Sequence, residues 1–240
     1  MKKILILILL MMATKLQAAG SEVQVLCYHT FLGKPKIYTD FSVQEFKQHL
    51  DLLKQKQFKF VSWPQMVAGQ VTGTRNILIV IDDGNRSAFS AYEQVLKPAG
   101  IQAVFAVYPG IINRVRFALT WDQVLALQAG GQTLVSHGYF HEYLTDAFKE
   151  KFPQRFDDEV LRSKRELEAH GVKPVTVYVY PFGVVSDSGK AALKEAGYRY
   201  GFSLAAGKVR LPLSKNADAF DLPRVMMTRS IANGFLNGLK

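Results

Sequence analysis

The stretch Ile77-Leu78-Ile79-Val80-Ile81-Asp82-Asp83-Gly84 decides how the chain is read. Five apolar residues, four of them β-branched, run into two carboxylates and a glycine. The run is too short for a helix and is apolar on both faces. It therefore predicts a strand inside a sheet that is covered on both sides. Its C-terminal end carries Asp82 and Asp83, and this end of parallel strands is where ligands gather in α/β sheets and barrels.

Outward from this strand, helix, glycine and strand alternate. Ser87–Lys97 reads as a helix stopped by Pro98 and Gly100, before the strand Ala103–Val107. Thr120, with Gln123 at the capping-box position, opens Trp121–Ala129, and Thr133–Ser136 follows as a strand. Asp157–His170 and Ser186–Ala196 are helices closed by Gly171 and Gly197, each leading to a strand, Val175–Tyr180 and Tyr200–Leu204. Upstream lie the strand Val23–Cys27, a helix opened by Ser42 and Glu45, the short strand Phe58–Val61 and a short helix after Ser62. Lys34–Asp40, Asn113–Leu119 and Tyr143–Arg155 read as loops that would set specificity. The pattern is a single α/β domain with parallel strands, an open sheet or a barrel.

The N-terminus is not part of that fold. Lys2 and Lys3 precede the apolar run Ile4–Met12, and small residues follow at Ala18-Ala19-Gly20. This is the layout of a secretory leader over residues 1–18, with 19–240 as the mature domain. The run is too short to span a bilayer, which needs about 20 residues; an uncleaved anchor is the competing reading. Loss of Lys2, Lys3 and Lys15 lowers the formal charge from +10 to +7. A basic exported protein suits a negatively charged envelope surface. Its cations are scattered, which argues against nucleic acid. The one cysteine, Cys27, excludes an internal disulfide; a small buried hydrophobe is the expected role, over a nucleophile. His49 lies beside the apolar stripe of its helix and reads as packed or solvated.

The strand ends carry the chemistry. The first strand ends at His29, the central one at Asp82-Asp83, and Thr133–Ser136 at His137, with His141 four residues later. Asp83, His137 and His141 make a two-histidine, one-carboxylate set that leaves a position open for water, the pattern of a catalytic metal. Zinc fits such ligands, and iron, cobalt or manganese also take them. Asp82 and Asp83 point to opposite sides of the strand, so one can ligate while the other takes a proton from water.

In this order the residues resemble the polysaccharide deacetylase family, also called the NodB-homology or carbohydrate esterase 4 family. Val80-Ile81-Asp82-Asp83-Gly84 is similar to its Thr-Phe-Asp-Asp-Gly motif. His137-Gly138-Tyr139-Phe140-His141 matches the spacing of His-Ser/Thr-x-x-His, with Gly138 in place of the hydroxyl residue. Tyr178–Gly183 resembles Arg-x-x-Pro-Tyr/Phe-Gly, with Tyr178 where the arginine stands. Leu26-Cys27-Tyr28-His29, Leu119-Thr120-Trp121-Asp122 and Leu222-Pro223-Arg224-Val225 are similar to the exported branch that includes poly-N-acetylglucosamine deacetylases.

The resemblance implies a distorted (β/α) barrel and metal-dependent removal of N-acetyl groups from a polysaccharide. It implies one divalent ion, zinc first, with cobalt, iron or nickel as alternatives, on Asp83, His137 and His141. Asp82 becomes the general base, the Phe182 amide an oxyanion donor, and Tyr180 and Pro181 substrate contacts. Two members of the family's usual set are missing: the late histidine acid and the arginine that steadies the base. His29 and Arg224 are the expected replacements, because first and last strands are neighbours in a barrel. The implied partner is an N-acetylglucosamine polymer of the envelope or matrix, and the implied location is periplasmic or secreted. The competing readings are an inactive carbohydrate-binding protein and a glycosidase, which adjacent residues pointing apart disfavour.

Overall fold

The computed structural model describes residues 20–238; the leader expected over residues 1–18 lies outside the described residues. The central strand is β3, Asn76–Ile81, and every residue in it is buried. Around it run β1 (Ser21–Tyr28), β2 (Lys59–Phe60), β4 (Val104–Val107), β5 (Thr133–Ser136), β6 (Val177–Val179), β7 (Tyr200–Phe202), β8 (Val209–Leu211) and β9 (Val225–Met226). The strand order is β7-β6-β5-β4-β3-β1-β8. All pairings are parallel except β1 with β8, so the expectation of parallel strands fails only at this late edge.

The sheet curls until its upper end closes. Leu222 bridges Phe202 on one side, and three residues later Val225 pairs with Leu26 of β1 on the other. The chain before β9 thus fills the gap between β7 and β1. Alternation along the strands then sorts two cores. Val23, Val25, Leu78, Val80, Val104, Ala106, Val177, Val179 and Phe202 fill the barrel interior. Leu26, Ile77, Ile79, Ile81, Phe105, Leu134, Tyr178 and Tyr180 pack outward under the helices.

Those helices begin where the sequence says. Ser42 and Glu45 form a capping box on α1 (Val43–Gln55), Ser62 and Gln65 on α2 (Trp63–Val67), and Thr120 and Gln123 on the helix Trp121–Ala129. Each pair satisfies two backbone groups that a helix start leaves open. The expected loop Tyr143–Arg155 is instead largely helical, Asp146–Lys151 and Pro153–Asp157, because Thr145 caps the first piece without a box partner. The helix expected over Asp157–His170 starts earlier and passes through a wide π turn, Asp158–Arg162. A C-terminal helix, Arg229–Asn237, was not expected; Thr228 caps it and its side packs on α1. Among the described residues no helix is long and apolar enough to cross a membrane.

Candidate active site

Asp82 follows Leu78 and Val80 on the interior side of the sheet. It is 2% exposed, and its amide donates to the Tyr28 carbonyl at 2.9 Å. Arg224 Nη1 donates to Asp82 Oδ2 at 2.7 Å, and Cys27 Sγ donates to the same oxygen at 3.2 Å. Arg224 is itself held, with Nε on the Ser203 carbonyl at 3.0 Å and Nη1 3.2 Å from Cys27 Sγ. The other carboxylate oxygen, Oδ1, is buried without a partner. Burial pushes the Asp82 carboxyl up, but Arg224, then His137 and His29, outweigh it and hold the group below the usual range.

Strict alternation would turn Asp83 toward the helices. The backbone prevents this: Asp83 has φ +72° and Gly84 φ +64°, so the chain leaves the strand through a left-handed turn. Such a conformation costs a non-glycine residue about 1–3 kcal/mol and marks functional positions. The Asp83 carboxylate returns to the same cleft as Asp82. His137 Nε2 and His141 Nε2 each lie 3.4 Å from Asp83 Oδ1. His137 Nδ1 lies 2.7 Å from the Val179 carbonyl, an obligate acceptor, so Nδ1 carries a hydrogen and Nε2 is the atom that faces Asp83. His141 is also left-handed, at φ +67°.

The ligand atoms of Asp83, His137 and His141 all lie within 4.8 Å of one another. Burial lowers the His137 pKa, yet Asp82 and Asp83 together raise it above its ordinary value. The place between these groups draws positive charge. Donor set, spacing and field therefore fit a divalent cation.

A cleft of about 220 Å³ opens over the site, lined by His29, Tyr38, Asp82, Asp83, His137, His141, Phe182, Leu204 and Arg224 among others. His29 continues the interior row Val23, Val25, Cys27, and its Nδ1 is buried without a partner. Phe182 has φ +59°; its ring stacks on Tyr143 at 4.0 Å and meets His141 edge-on at 4.7 Å. The amides of Gly183 and Val184 bond back to Tyr180 and Pro181. Two expected substrate contacts are not brought into the cleft. Tyr180 is fully buried in the outer core, and Pro181 is buried beneath the turn; Phe182 and Gly183 line the cleft instead. Tyr178 also packs outward, so it does not occupy the place of the family's arginine.

Sequence reasoning missed Glu159. It is fully buried and accepts the amides of Tyr139 at 2.9 Å and Phe140 at 2.6 Å, which fixes the loop between the two histidines. Burial raises its pKa to about 7 against the pull of those amides. Gly138 explains the absent hydroxyl residue. Its φ is +79°, and a Cβ there would fall 2.1 Å from Glu159 Oε2. Cys27 was expected as an inert hydrophobe; it is buried, but its thiol touches both Asp82 and Arg224.

Comparison with known proteins agrees with this fold. The polysaccharide deacetylase family model matches residues 69–201. A poly-beta-1,6-N-acetyl-D-glucosamine N-deacetylase of Staphylococcus epidermidis is 24% identical over 213 residues, 83% of this chain and 72% of the relative. The structure of IcaB from Ammonifex degensii superposes with a TM-score of 0.76 at 24% identity, covering 92% of this chain and 98% of that one. The Streptococcus pyogenes deacetylase PplD, solved with acetate, gives 0.76 at 17% identity, over 92% of this chain and 100% of that one. With more than half of the residues matched by one family model over this barrel, the chain belongs to the polysaccharide deacetylase family.

Proposed function

We propose that the protein is an exported, metal-dependent N-deacetylase acting on N-acetylglucosamine residues of an envelope or extracellular polymer. The observation that carries this reading is the division of labour between Asp82 and Asp83. One carboxylate is clamped by Arg224 through a single oxygen, with the other oxygen left open. The neighbouring carboxylate meets two histidines. An inactive binding protein on this fold has no use for that buried, half-open base.

Asp83, His137 and His141 would hold the cation, zinc first and cobalt, iron or nickel as alternatives. When bound, it supplies a Lewis acid for the acetyl carbonyl and lowers the pKa of the attacking water. The Asp82 carboxylate accepts the proton from the attacking water. Arg224 keeps Asp82 ionised and fixes its carboxylate through Oδ2. The Phe182 amide donates to the carbonyl oxygen as it gains negative charge. His29, across the cleft, gives a proton to the departing sugar nitrogen, so amide and water become acetate and amine. The leader layout of residues 1–18 supports export, and the relatives named for poly-N-acetylglucosamine support that polymer over peptidoglycan.

Acetate release from poly-N-acetylglucosamine, peptidoglycan and chitin oligosaccharides, with and without a chelator, tests the reading. Release that stops on chelation and returns with zinc is expected; polymer binding with no acetate from any substrate would favour the inactive alternative. His29→Ala should lose about 10²–10⁴-fold in rate while keeping its metal. Full activity in that variant removes His29 as the acid.

A further inference from the structure

A second group of ligand atoms meets beside the first, at Asp82. Cys27 Sγ, a ring nitrogen of His29 and an Asp82 oxygen lie within 4.8 Å of one another. They converge because Cys27 lies on the interior side of β1 with His29 just past the end of that strand, while Cys27 pairs in register with Val80, two residues before Asp82. Two atoms here, His29 Nδ1 and Asp82 Oδ1, are buried without a hydrogen-bond partner, and Asp82 as a whole is 2% exposed. Leaving such atoms unmatched costs about 1–3 kcal/mol each, which a ligand that accepts their lone pairs would recover.

Thiolate, imidazole and carboxylate form a zinc-type donor set, and the sulfur favours softer cations over hard ones. The set formed by Asp83, His137 and His141 contains no sulfur. Asp82 Oδ2 accepts from both Arg224 and Cys27, and loss of the Cys27 proton frees a lone pair of that oxygen for a cation. On binding, the Cys27 S–H bond breaks, the proton goes to solvent and an S–metal bond forms. The two negative charges of Cys27 and Asp82 then balance a divalent ion. The Arg224 guanidinium lies 3.2 Å from the sulfur, and its positive charge keeps this site weaker than the other.

We propose that Cys27, His29 and Asp82 form a second, lower-affinity site for thiophilic divalent cations such as zinc, cobalt or cadmium, and that filling it switches the enzyme off. The inhibitory half rests on the proposed function, in which Asp82 and His29 carry protons; as ligands they no longer do so. The binding half stands apart from that reading.

Titration of the metal-free protein with Co²⁺, followed by equilibrium dialysis, absorption and acetate release, tests both halves. Two equivalents are expected to bind. A thiolate-to-cobalt charge-transfer band should rise only with the second. Acetate release should climb through the first equivalent and fall at least tenfold through the second. Cys27→Ala and Cys27→Ser should bind one equivalent without the band and without the fall, whatever their basal rate; retention of the first equivalent shows that they are folded. A single equivalent with no band in the unmodified protein overturns the proposal, as does a band that survives Cys27→Ala. Release that holds at its maximum through the second equivalent overturns the inhibitory role. Two equivalents with the band, but no acetate release at any loading, would leave the cation site standing and remove the deacetylase reading.

Discussion

The barrel has a cavity at each end, and the larger one lacks the chemistry. The lower cavity, about 470 Å³, is lined by Trp63, Val67, Thr133, Val177, Arg199, Tyr200 and their neighbours, with no carboxylate or histidine among them. The upper cleft holds about 220 Å³ and gathers Asp82, Asp83, His29, His137, His141 and Arg224. The backbones differ in the same sense. Below, Gly100, Gly131, Gly171 and Gly197 take left-handed turns after the helices, where glycine does so at little cost, and Gln57 after α1 is the exception with a side chain. Above, Asp83, His141 and Phe182 take them with full side chains. Volume marks where side chains fail to meet; strained backbone and buried charge mark where chemistry is held.

That contrast predicts large effects above and small ones below. Arg224→Ala leaves Asp82 buried without its counter-ion, so it should cost about 3–5 kcal/mol in urea unfolding and most of the activity. A midpoint close to the unmodified protein would mean that water replaces the guanidinium freely. Glu159 should impose a pH dependence. Its folded pKa of about 7 lies above the 4.5 of a free glutamate. Between those values the native state keeps a proton that the unfolded chain has lost, so stability falls as pH rises through this window and levels off above it. The full loss is about 3 kcal/mol. Glu159→Gln should flatten the profile between pH 5 and 7; an unchanged slope would place its origin elsewhere.

Gly138→Ser restores the residue type common in the family, yet here it should destabilise by about 1–3 kcal/mol, because its Cβ meets Glu159 and its φ is positive. Unfolding at the original denaturant concentration would refute the packing argument. The smallest effect is expected from the lower cavity. Arg199→Ala removes a guanidinium 5.9 Å from the Tyr200 ring centroid and should shift stability by about 0.5 kcal/mol or less, with acetate release unchanged. A large loss of activity there would end the separation between the two cavities.

How much of this was legible in the sequence follows from how local each signal is. Asp82, Asp83 and His137 announce themselves because they follow apolar strands, and His141 because it stands four residues after His137. Arg224 sits far along the chain, 142 residues from Asp82; the Leu-Pro-Arg-Val stretch near the last strand and barrel closure suggested it, and the structure places it 2.7 Å away. Glu159 was hidden by its setting. In a charged helix a glutamate reads as solvent-facing, and only the wide π turn at Asp158–Arg162 and the tertiary fold reveal that it is buried. Strand alternation gave Asp82 its side and would have sent Asp83 to the wrong one. The left-handed turn that corrects this leaves as its trace only the glycine that follows.

The central claim is that these two adjacent carboxylates do different work. The most direct measurement is metal content and acetate release of Asp82→Asn and Asp83→Asn, side by side with the unmodified protein. Asp82→Asn should keep its first equivalent of metal and release no acetate, while Asp83→Asn should lose the metal and the activity together. A metal-free Asp82→Asn, or an Asp83→Asn that keeps its metal and its rate, would contradict the account.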